Sequence, residues 1–334
     1  MLDLEILKST DGRFSRIISG SAKAVDEVND SLMWGARKYL REQGFMWLEV
    51  PIMTKITGAC ENVDTLYKLD HFGKESYLAQ TGQLYLEAKI PLHEKVWTII
   101  TSSRAESSVD ARHLNQFQLV EFEHKGDFES MLVHIEGLVK SMISEAIDKN
   151  EDLLNILGRY SEVTGWVAEP FARLSYTEAI DMLKDSGYVI EWGDDLSSKT
   201  EQELVMIMGN RPLFITHFPK AIKFFNMRQN DDDARIVNSS DLLMPYSGES
   251  VGAAERENNY ELLVKRLVES PMFRILAERG KTLDDFKDYL DMVKKHPILH
   301  SGCGIGFNRI SQSVLGADDI RVSSNYPIQK GVLY

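Results

Sequence analysis

The chain has 334 residues, of which 43% are hydrophobic, and a formal net charge of −13 at pH 7. This composition suffices for a sizeable core, and the negative charge argues against general affinity for nucleic acid, because no excess of cations would displace the counterions of a polyanion. The two cysteines, Cys60 and Cys303, do not suggest a disulfide framework. The sequence contains no run of about 20 uninterrupted apolar residues, the length that a membrane span requires. Since no basic segment with an apolar run behind it opens the chain, we expect a cytoplasmic protein.

The N-terminal part of the chain predicts a long amphipathic helix followed by a short strand. Apolar residues recur at three- and four-residue steps within residues 15–43, and Gly44 is suited to end that helix. Residues 45–51 then predict a strand that a proline stops. Residues 76–90 predict a strand, a turn and a second helix.

The middle of the chain predicts a β-hairpin and another amphipathic helix. Residues 96–102 are β-branched and apolar, and residues 119–123 predict the returning strand, so the polar loop between them would lie over a sheet. Residues 128–149 carry apolar side chains at helical spacing.

The C-terminal half predicts a mixture of helices and strands. Helices are expected at residues 177–186, 197–208, 259–279, 283–295 and 309–315. Strands are expected at residues 213–217, 223–228, 235–243 and 249–254 and near 301–302, with 223–228 and 235–243 paired through a polar turn. Together these elements predict a single α+β domain, residues 1–334, with an antiparallel sheet flanked by helices.

Two arginines about two hundred residues apart stand in the densest polar motifs of the chain. Arg104 begins an Arg-Ala-Glu run, and Arg309 closes the run Gly302-Cys-Gly-Ile-Gly-Phe-Asn-Arg. Guanidinium groups are permanent cations whose planar fork matches phosphate oxygens, so two of them can hold opposite ends of a triphosphate. Gly304 and Gly306 would let the backbone approach a ligand beside Arg309.

Other side chains extend this predicted nucleotide site. His113 could contact the far end of the triphosphate, and the ring of Phe117 could stack on adenine, although each also fits an ordinary structural role. Asp241 and Glu249 are carboxylates that could hold Mg²⁺, an ion that needs only one or two of them when phosphate oxygens and waters complete its octahedron. Acid pairs at such a spacing are common, so the spacing alone is weak evidence.

These motifs together resemble the catalytic core of a class II aminoacyl-tRNA synthetase. The resemblance is to the aspartyl and asparaginyl branch, and within it to the asparaginyl type, from about residue 20 to the end. The segments that carry it are the predicted first helix with residues 45–51, and residues 104–123, 219–228, 241–245, 248–256 and 302–309.

The resemblance implies a role for each matching residue. Arg104, Glu106 and Arg309 would be catalytic. The residues that would bind ATP are Arg104, Arg112, His113, Leu114, Phe117, Gly306 and Arg309. The residues that would bind the amino acid are Glu61, Gln80, Gln83, Glu121, Gly252 and Arg256. Mg²⁺ would be held by Asp241 and Glu249.

Departures from the family pattern lie near the predicted substrate pocket and the last arginine. Leu86 stands where the aspartyl type has a lysine that binds the β-carboxylate, which argues against an ordinary aspartyl enzyme. Asn308 replaces the usual acid before the final arginine, and Ser103 replaces the usual phenylalanine before Arg104. Residues 252–255 read Gly-Ala-Ala-Glu rather than the usual Gly-Gly-Ser-Gln or Ser-Gly-Ala-Gln.

Synthetases of this branch carry an anticodon-binding OB-fold before the catalytic core, and the lead before residue 20 is too short for such a barrel. We therefore expect a stand-alone relative, similar to archaeal-type asparagine synthetases, that activates an aspartate-like or asparagine-like amino acid with ATP. The most direct reaction would be an aspartyl adenylate captured by ammonia or another amine.

The alternatives are a biosynthetic ligase that passes the amino acid to a small amine, a carrier protein or a tRNA end, and a non-catalytic regulatory paralogue. The first motif of these enzymes builds a two-fold interface, so a homodimer is expected.

Overall fold

A computed structural model describes residues 2–55 and 63–334. Its α-helices are α1 (Arg13–Arg16), α2 (Gly20–Glu42), α3 (Gln83–Glu87), α4 (Ile90–His93), α5 (Phe128–Lys149), α6 (Glu151–Ile156), α7 (Tyr160–Ala168), α8 (Tyr176–Asp185), α9 (Ser198–Ile207), α10 (Tyr260–Glu269), α11 (Pro271–Glu278), α12 (Lys287–Lys295) and α13 (Phe307–Leu315). Its strands are β1 (Met46–Trp47), β2 (Met53–Thr54), β3 (Lys68–His71), β4 (Lys74–Leu78), β5 (Lys95–Ser103), β6 (Gln116–His124), β7 (Ala172–Ser175), β8 (Leu213–Thr216), β9 (Ser239–Met244), β10 (Gly248–Glu255) and β11 (Ser301–Gly306).

An eight-stranded sheet is the centre of the fold. Its strand order is β1-β5-β6-β11-β10-β9-β8-β7, and a separate three-stranded sheet has the order β2-β4-β3. Neighbouring strands of the large sheet are antiparallel except at its two edges, where β1 pairs with β5 and β7 with β8 in parallel. The α+β class and the antiparallel platform predicted from the sequence are therefore confirmed.

Strand β6 shows how the sheet divides the molecule into two faces. Successive side chains of a strand point to opposite faces. Val120 and Phe122 join the large hydrophobic core under α2 and α5, whereas Glu121 and Glu123 line a cleft on the other side. Leu119 packs near the same cleft, so one strand supplies both the core and the floor of a polar site.

Helices α2 and α5 cover the core face and approach each other closely. The apolar stripe of α2 is fully buried at Val25, Val28 and Leu32, as its three- and four-residue spacing predicts. Gly35 lies at the crossing, where an added Cβ would come within 2.7 Å of the Cα of Met142. The absence of a side chain at this position therefore permits the helices to pack at this distance.

Several predicted elements are confirmed, including the helix at 128–149 and the hairpin that β5 and β6 form. Gly44 follows α2 with a φ of 78°, the left-handed conformation that glycine adopts most readily at a helix end. The first strand is shorter than predicted, because only Met46 and Trp47 pair with β5.

The strand predicted at residues 223–228 is wrong. This segment follows a short 3₁₀ turn and makes only isolated bridges, such as Met227 with Arg256. Phe225 turns instead into a separate hydrophobic cluster formed with α10, α11 and α12. The strand that pairs with β8 and β10 is β9, which begins at Ser239.

The helix predicted at residues 259–279 is two helices. It breaks at Ser270, whose hydroxyl accepts a hydrogen bond from the backbone N–H of Phe273 at 3.1 Å, and Pro271 occupies the first turn of α11. Proline suits that position, since its missing N–H would have no partner there. Likewise, the helix predicted at 283–295 begins as a 3₁₀ turn before α12.

None of the helices in the described ranges is both long enough and apolar enough to span a bilayer.

Replacing Gly35 with alanine should destabilise the protein by about 1–3 kcal/mol, because the new methyl group meets the backbone of α5, which cannot move aside without disturbing the core. Urea unfolding followed by circular dichroism measures this change. Gly20→Ala is the matched control in the same helix, since a Cβ there meets nothing within 4 Å. Equal stabilities of the two variants would contradict the close helix crossing.

Candidate active site

One cleft of about 350 Å³ brings together nearly all of the predicted site residues. Those in its lining are Gln83, Arg104, Glu106, Arg112, His113, Leu114, Phe117, Glu121, Asp241, Glu249, Gly252, Arg256, Gly306 and Arg309. Among the described residues, Gln80 is the exception. It is buried, and its side-chain amide donates to the carbonyl oxygen of Thr65 at 3.1 Å. Glu61 lies outside the described residues.

The floor of the cleft is a row of residues in register across four strands. Glu121 on β6 pairs with Gly304 on β11, Gly304 pairs with Gly252 on β10, and Gly252 pairs with Asp241 on β9. Neighbouring strands lie about 4.8 Å apart, so the two carboxylate residues are separated by about 14 Å. A flat floor of two glycines therefore joins two acidic ends.

Arg104 stands at one end of the cleft, on the loop between β5 and β6. Its guanidinium lies over the ring of Phe117, 5.3 Å from the centroid, which is a cation–π distance. The side-chain amide of Asn115 donates to the carbonyl oxygens of Arg104 and Glu106 at 2.7 and 2.9 Å, which fixes the loop. The buried Nε of Arg104 has no hydrogen-bond partner within the described residues.

The other basic residues of this end are held by acids. Nδ1 of His113 lies 2.9 Å from the carboxylate of Asp110, which directs Nε2 away from that acid. Nη2 of Arg112 donates to Glu201 at 2.6 Å. These contacts fix the orientation of the side chains before any ligand binds.

Arg309 completes a group of three guanidinium groups. It follows β11 in the first turn of α13, and its Nη1 donates to the carbonyl oxygen of Glu249. Burial lowers the pKa of Arg309, and the nearby charges of Arg112 and Arg104 lower it further, partly against the attraction of Glu249. Three cations that repel one another across one space form a site suited to a polyanion.

Carboxylates of adjacent strands face these cations. Burial raises the pKa of Asp241 to about 7 against the attraction of Lys223, and Glu249 raises it further by repulsion. The described residues contain no group of three acidic, histidine or cysteine side chains arranged for a metal ion. Asp241 and Glu249 nevertheless suit a divalent ion that takes its remaining ligands from phosphate and water.

Glu121 dominates the opposite end of the cleft. The hydroxyl of Thr81 donates to its Oε1 at 2.5 Å, and the backbone N–H of Gly82 donates to its Oε2 at 2.7 Å. Burial raises the pKa of Glu121 to about 7, while these two hydrogen bonds act to lower it and the charge of Glu123 adds to the rise. The carboxylate therefore changes charge near neutral pH.

Arg256 is buried beside it and binds Glu123, with 2.6 Å between Nη2 and Oε1. An added Cβ at Gly302 would collide with the carboxylate of Glu123, so glycine leaves the space that this acid fills. Burial raises the pKa of Glu123 to about 6 against the attraction of Arg256.

A network around Glu87 supports this end from behind. Its carboxylate accepts hydrogen bonds from the amide of Gln83 at 2.5 Å and the hydroxyl of Tyr289 at 3.2 Å, and lies 3.2 Å from Nε2 of His300. Burial alone would lower the pKa of His300, but the contact with Glu87 raises it. The network joins α3, α12 and the start of β11 at the end of the cleft that contains Glu121.

Several of these residues were not predicted from the sequence. Glu87 follows Gln83 by four positions on one helix, a spacing that predicts side-chain contact and could have been noticed. Lys223, whose Nζ donates to Asp241 at 2.7 Å, was hidden in a segment predicted as a strand. Glu201 and Tyr289 carry no local signal, because their partners are distant in the chain.

The departures from the family pattern fit their surroundings. Leu86 is fully buried and packs with Ile90 and Val96. The amide of Asn308 accepts a hydrogen bond from the backbone N–H of Gln118 at 3.1 Å and donates to the carbonyl oxygen of Ser323 at 3.2 Å. An amide makes both contacts, whereas an ionised carboxylate could only accept.

Comparison with known proteins gives a consistent result. A family model described as tRNA synthetases class II (D, K and N) matches residues 8–330. An asparagine–tRNA ligase of Pyrococcus abyssi is 36% identical over 326 residues, which cover 97% of this chain and 72% of that relative.

Solved structures agree with the sequence comparison. The asparaginyl-tRNA synthetase of Pyrococcus horikoshii, complexed with asparaginyl-adenylate, has a TM-score of 0.89 and 35% identity, covering 97% of this chain and 73% of that one. The asparaginyl-tRNA synthetase of Entamoeba histolytica, also with asparaginyl-adenylate, has a TM-score of 0.84 and 29% identity, covering 96% and 70%.

Glu121→Gln should change the pH dependence of stability in a defined direction. The folded protein retains a proton on Glu121 up to a pKa of about 7, whereas the unfolded chain releases it near 4.5, so the wild-type protein loses stability as pH rises between these values. Relative to wild type, the variant should gain about 2–3 kcal/mol between pH 5 and pH 8.

Urea unfolding of both proteins at unit pH steps measures this difference. The lost hydrogen bond adds a constant cost at every pH, so the slope carries the test. A stability difference that stays constant from pH 5 to pH 8 would contradict the raised pKa.

Proposed function

The chain belongs to the class II tRNA synthetases of the D, K and N type, a family of AMP-forming ligases, and we propose that it makes an aminoacyl adenylate from aspartate and ATP and transfers the acyl group to ammonia. The observation that carries this proposal is the cleft itself. A cluster of three guanidinium groups and two carboxylates stands at one end, and a buried Glu121 and Arg256 stand at the other. Such a site holds a metal–nucleotide and an amino acid end to end.

At the nucleotide end the arginines bind and orient the triphosphate. Arg104 binds the α-phosphate, and its guanidinium lies over the Phe117 ring, the ring against which we propose that adenine stacks. Phe117 and the guanidinium plane of Arg309 hold adenine between them, while His113 and Arg309 reach the γ-phosphate. Glu106 contacts the nucleotide either at adenine or at the water molecules around the metal ion. Leu114 and Gly306 complete the lining.

Asp241 and Glu249 would hold the divalent ion of this nucleotide, which we propose to be Mg²⁺. When bound, the ion would neutralise phosphate charge and so make pyrophosphate a better leaving group. The protein's own part is to hold carboxylate donors on two adjacent strands, in front of the guanidinium groups.

Adenylate formation then requires alignment more than covalent help. An oxygen of the aspartate carboxylate attacks the α-phosphorus, the bond to the β-phosphate oxygen breaks, and pyrophosphate leaves. Arg104 stabilises the charge that develops on the α-phosphate. Arg256 pairs with the second carboxylate of the substrate, and Gln83 and Glu61 receive its amino group, while Gly252 gives the floor room for the chain of the amino acid.

The second step forms the amide. The nitrogen of ammonia attacks the acyl carbon, the bond between that carbon and the phosphate oxygen breaks, and AMP leaves. The attacking amine must lose a proton, and Glu121 is the acceptor, since a carboxylate whose pKa lies near 7 accepts protons efficiently at neutral pH. Of the two carboxylates of aspartate, the β-carboxylate is the one whose activation yields asparagine.

A second candidate is asparagine activation followed by transfer to a tRNA end. The similarity to asparagine–tRNA ligases favours it, and Glu121 could accept hydrogen bonds from an amide nitrogen. The net charge of −13 favours the first candidate, because a tRNA backbone demands cations. A regulatory protein without catalysis fits poorly with so complete a set of phosphate-binding groups.

We also propose a homodimer formed through the first motif. β1 is an edge strand, paired on one side with β5, and its Met46 and Trp47 are 51% and 55% exposed. Trp34 on α2 and Ile52 beyond β1 are also more than half exposed. Large apolar side chains concentrated on an edge strand and its neighbours are typical of a surface that another chain covers.

The reaction is tested with ATP, Mg²⁺, aspartate and ammonium, followed by mass spectrometry. Formation of asparagine, AMP and pyrophosphate in equal amounts is the expected outcome. Arg104→Ala should reduce the rate by about 10²–10³-fold, the usual effect of removing one charge-stabilising donor. Arg235→Ala, at an exposed position outside the cleft, is the matched control. Asparagine-dependent pyrophosphate exchange without asparagine synthesis would favour the tRNA candidate instead.

Sedimentation equilibrium tests the dimer. A species of about 76 kDa, twice the chain mass of 38.0 kDa, is expected at micromolar concentration. Trp47→Glu should shift it toward the monomer, because a charge on the edge strand would be buried without a partner. Val189→Glu, on a fully exposed loop, should leave it unchanged. A wild-type protein that sediments as a monomer would exclude the dimer.

A further inference from the structure

Lys223 is a largely buried cation at the nucleotide end that the proposed function does not use. Its Nζ donates to Oδ2 of Asp241 at 2.7 Å and lies 3.8 Å from the centroid of the Phe218 ring. The side chains of Lys223 and Asp241 are only 14% and 12% exposed, so the pair is largely removed from water. Lys223 is also part of the cleft lining.

The charges around this pair are arranged unevenly. Glu249 faces the same space and attracts Lys223, while Arg112 is occupied by Glu201 and Arg309 by a backbone carbonyl oxygen. Lys223 is therefore the cation that neutralises Asp241 in the nucleotide-free enzyme. Leaving a buried carboxylate without a partner is costly, so this contact is stabilising in that state.

We infer that Lys223 takes the place of the metal ion on Asp241 until the metal–nucleotide enters, and then moves its ammonium group from Asp241 to the phosphates. This inference rests on the proposed assignment of Asp241 and Glu249 as metal ligands. An ammonium and a divalent cation repel each other and cannot share one carboxylate oxygen. The flexible stem of lysine and its compact charge suit an exchange of partners between a carboxylate and a phosphate.

The exchange makes metal binding depend on the nucleotide. A metal ion alone must displace Lys223 and leave that ammonium buried without an anion. A metal–triphosphate supplies a new anion for the lysine, so the displaced charge is paired again. The enzyme therefore binds the divalent ion weakly by itself and tightly together with ATP, and the uncomplexed ion does not fill the site ahead of the nucleotide.

Manganese titration by electron paramagnetic resonance tests this directly, with no amino acid or amine present. At pH 8 without nucleotide, Lys223→Met should bind Mn²⁺ about tenfold or more tightly than wild type, a coupling within the usual range for two linked sites. Lys220→Met is the matched control, because Lys220 pairs with Gln229 outside the cleft lining and its loss should leave Mn²⁺ affinity unchanged. Lys223→Arg retains the cation and should restore weak binding.

The same titration is repeated with a non-hydrolysable ATP analogue present. Wild type should then bind Mn²⁺ tightly, and Lys223→Met should bind the analogue about tenfold more weakly than wild type. A purely structural role for Lys223 would lower both affinities and could not raise the one for the free metal. Thermal unfolding gives a second readout, since Mn²⁺ alone should raise the Tm of Lys223→Met more than that of wild type.

Two outcomes overturn the inference. One is equal Mn²⁺ affinity of wild type and Lys223→Met without nucleotide; the other, which needs no variant, is a wild-type affinity that the nucleotide does not change. If Mn²⁺ fails to bind any of these proteins even with the analogue, the metal assignment in the proposed function fails as well. If Mn²⁺ binds tightly with the analogue but Lys223→Met shows no gain in affinity for the free ion, the role of Lys223 is rejected and the metal assignment stands.

Discussion

The cleft depends on the cross-strand register of β6, β11, β10 and β9. This register places Glu121 and Asp241 at the two ends of a row whose middle is Gly304 and Gly252. Because side chains alternate along a strand, a shift by one residue in β6 would turn its acids into the core and its apolar residues into the cleft. Val120 and Phe122, packed under α2 and α5, therefore hold the site in place from the opposite face.

Charges buried over this floor are arranged in pairs. Arg112 binds Glu201, Lys223 binds Asp241 and Arg256 binds Glu123, each across less than 3 Å. Pairs of this kind add little net stability, since desolvation offsets most of the attraction, but losing one partner is expensive. They hold the side chains in fixed orientations in a site without ligand.

Periodicity predicted the regular elements well, because their packing repeats along the chain. The helix at 128–149 and the β5–β6 hairpin follow from alternating or helical apolar spacing. The strand predicted at 223–228 failed because an apolar run of that length fits a buried strand and a packed turn equally well. Phe225 is buried against helices that come later in the chain, and nothing local reveals this.

The motifs also predicted most of the lining of the cleft, but they could not predict its pairings. Asp241 and Glu249 were predicted because they lie in segments that resemble the family. Their contacts with Lys223 and Glu201 depend on how β9, β10 and α9 pack together. Arg256 and Glu123 are separated by 133 residues and become partners only through the sheet. Contacts of this range arise from topology, so a single sequence names the groups and leaves their partners open.

The role of Glu121 distinguishes the two candidate functions, amide formation with ammonia and activation of asparagine for a tRNA end. A carboxylate has about four acceptor positions, and Thr81 and Gly82 use two of them, so the same group can also receive donors from a substrate. Recognition of an amide needs only that acceptance, whereas capture of ammonia needs a proton to move onto the carboxylate. The burial that raises the pKa of Glu121 reduces stability at neutral pH, and amide recognition gains nothing from it. Proton transfer does, since a base is most effective when its pKa lies near the working pH, and this is the ground on which we propose amide formation rather than amide recognition alone.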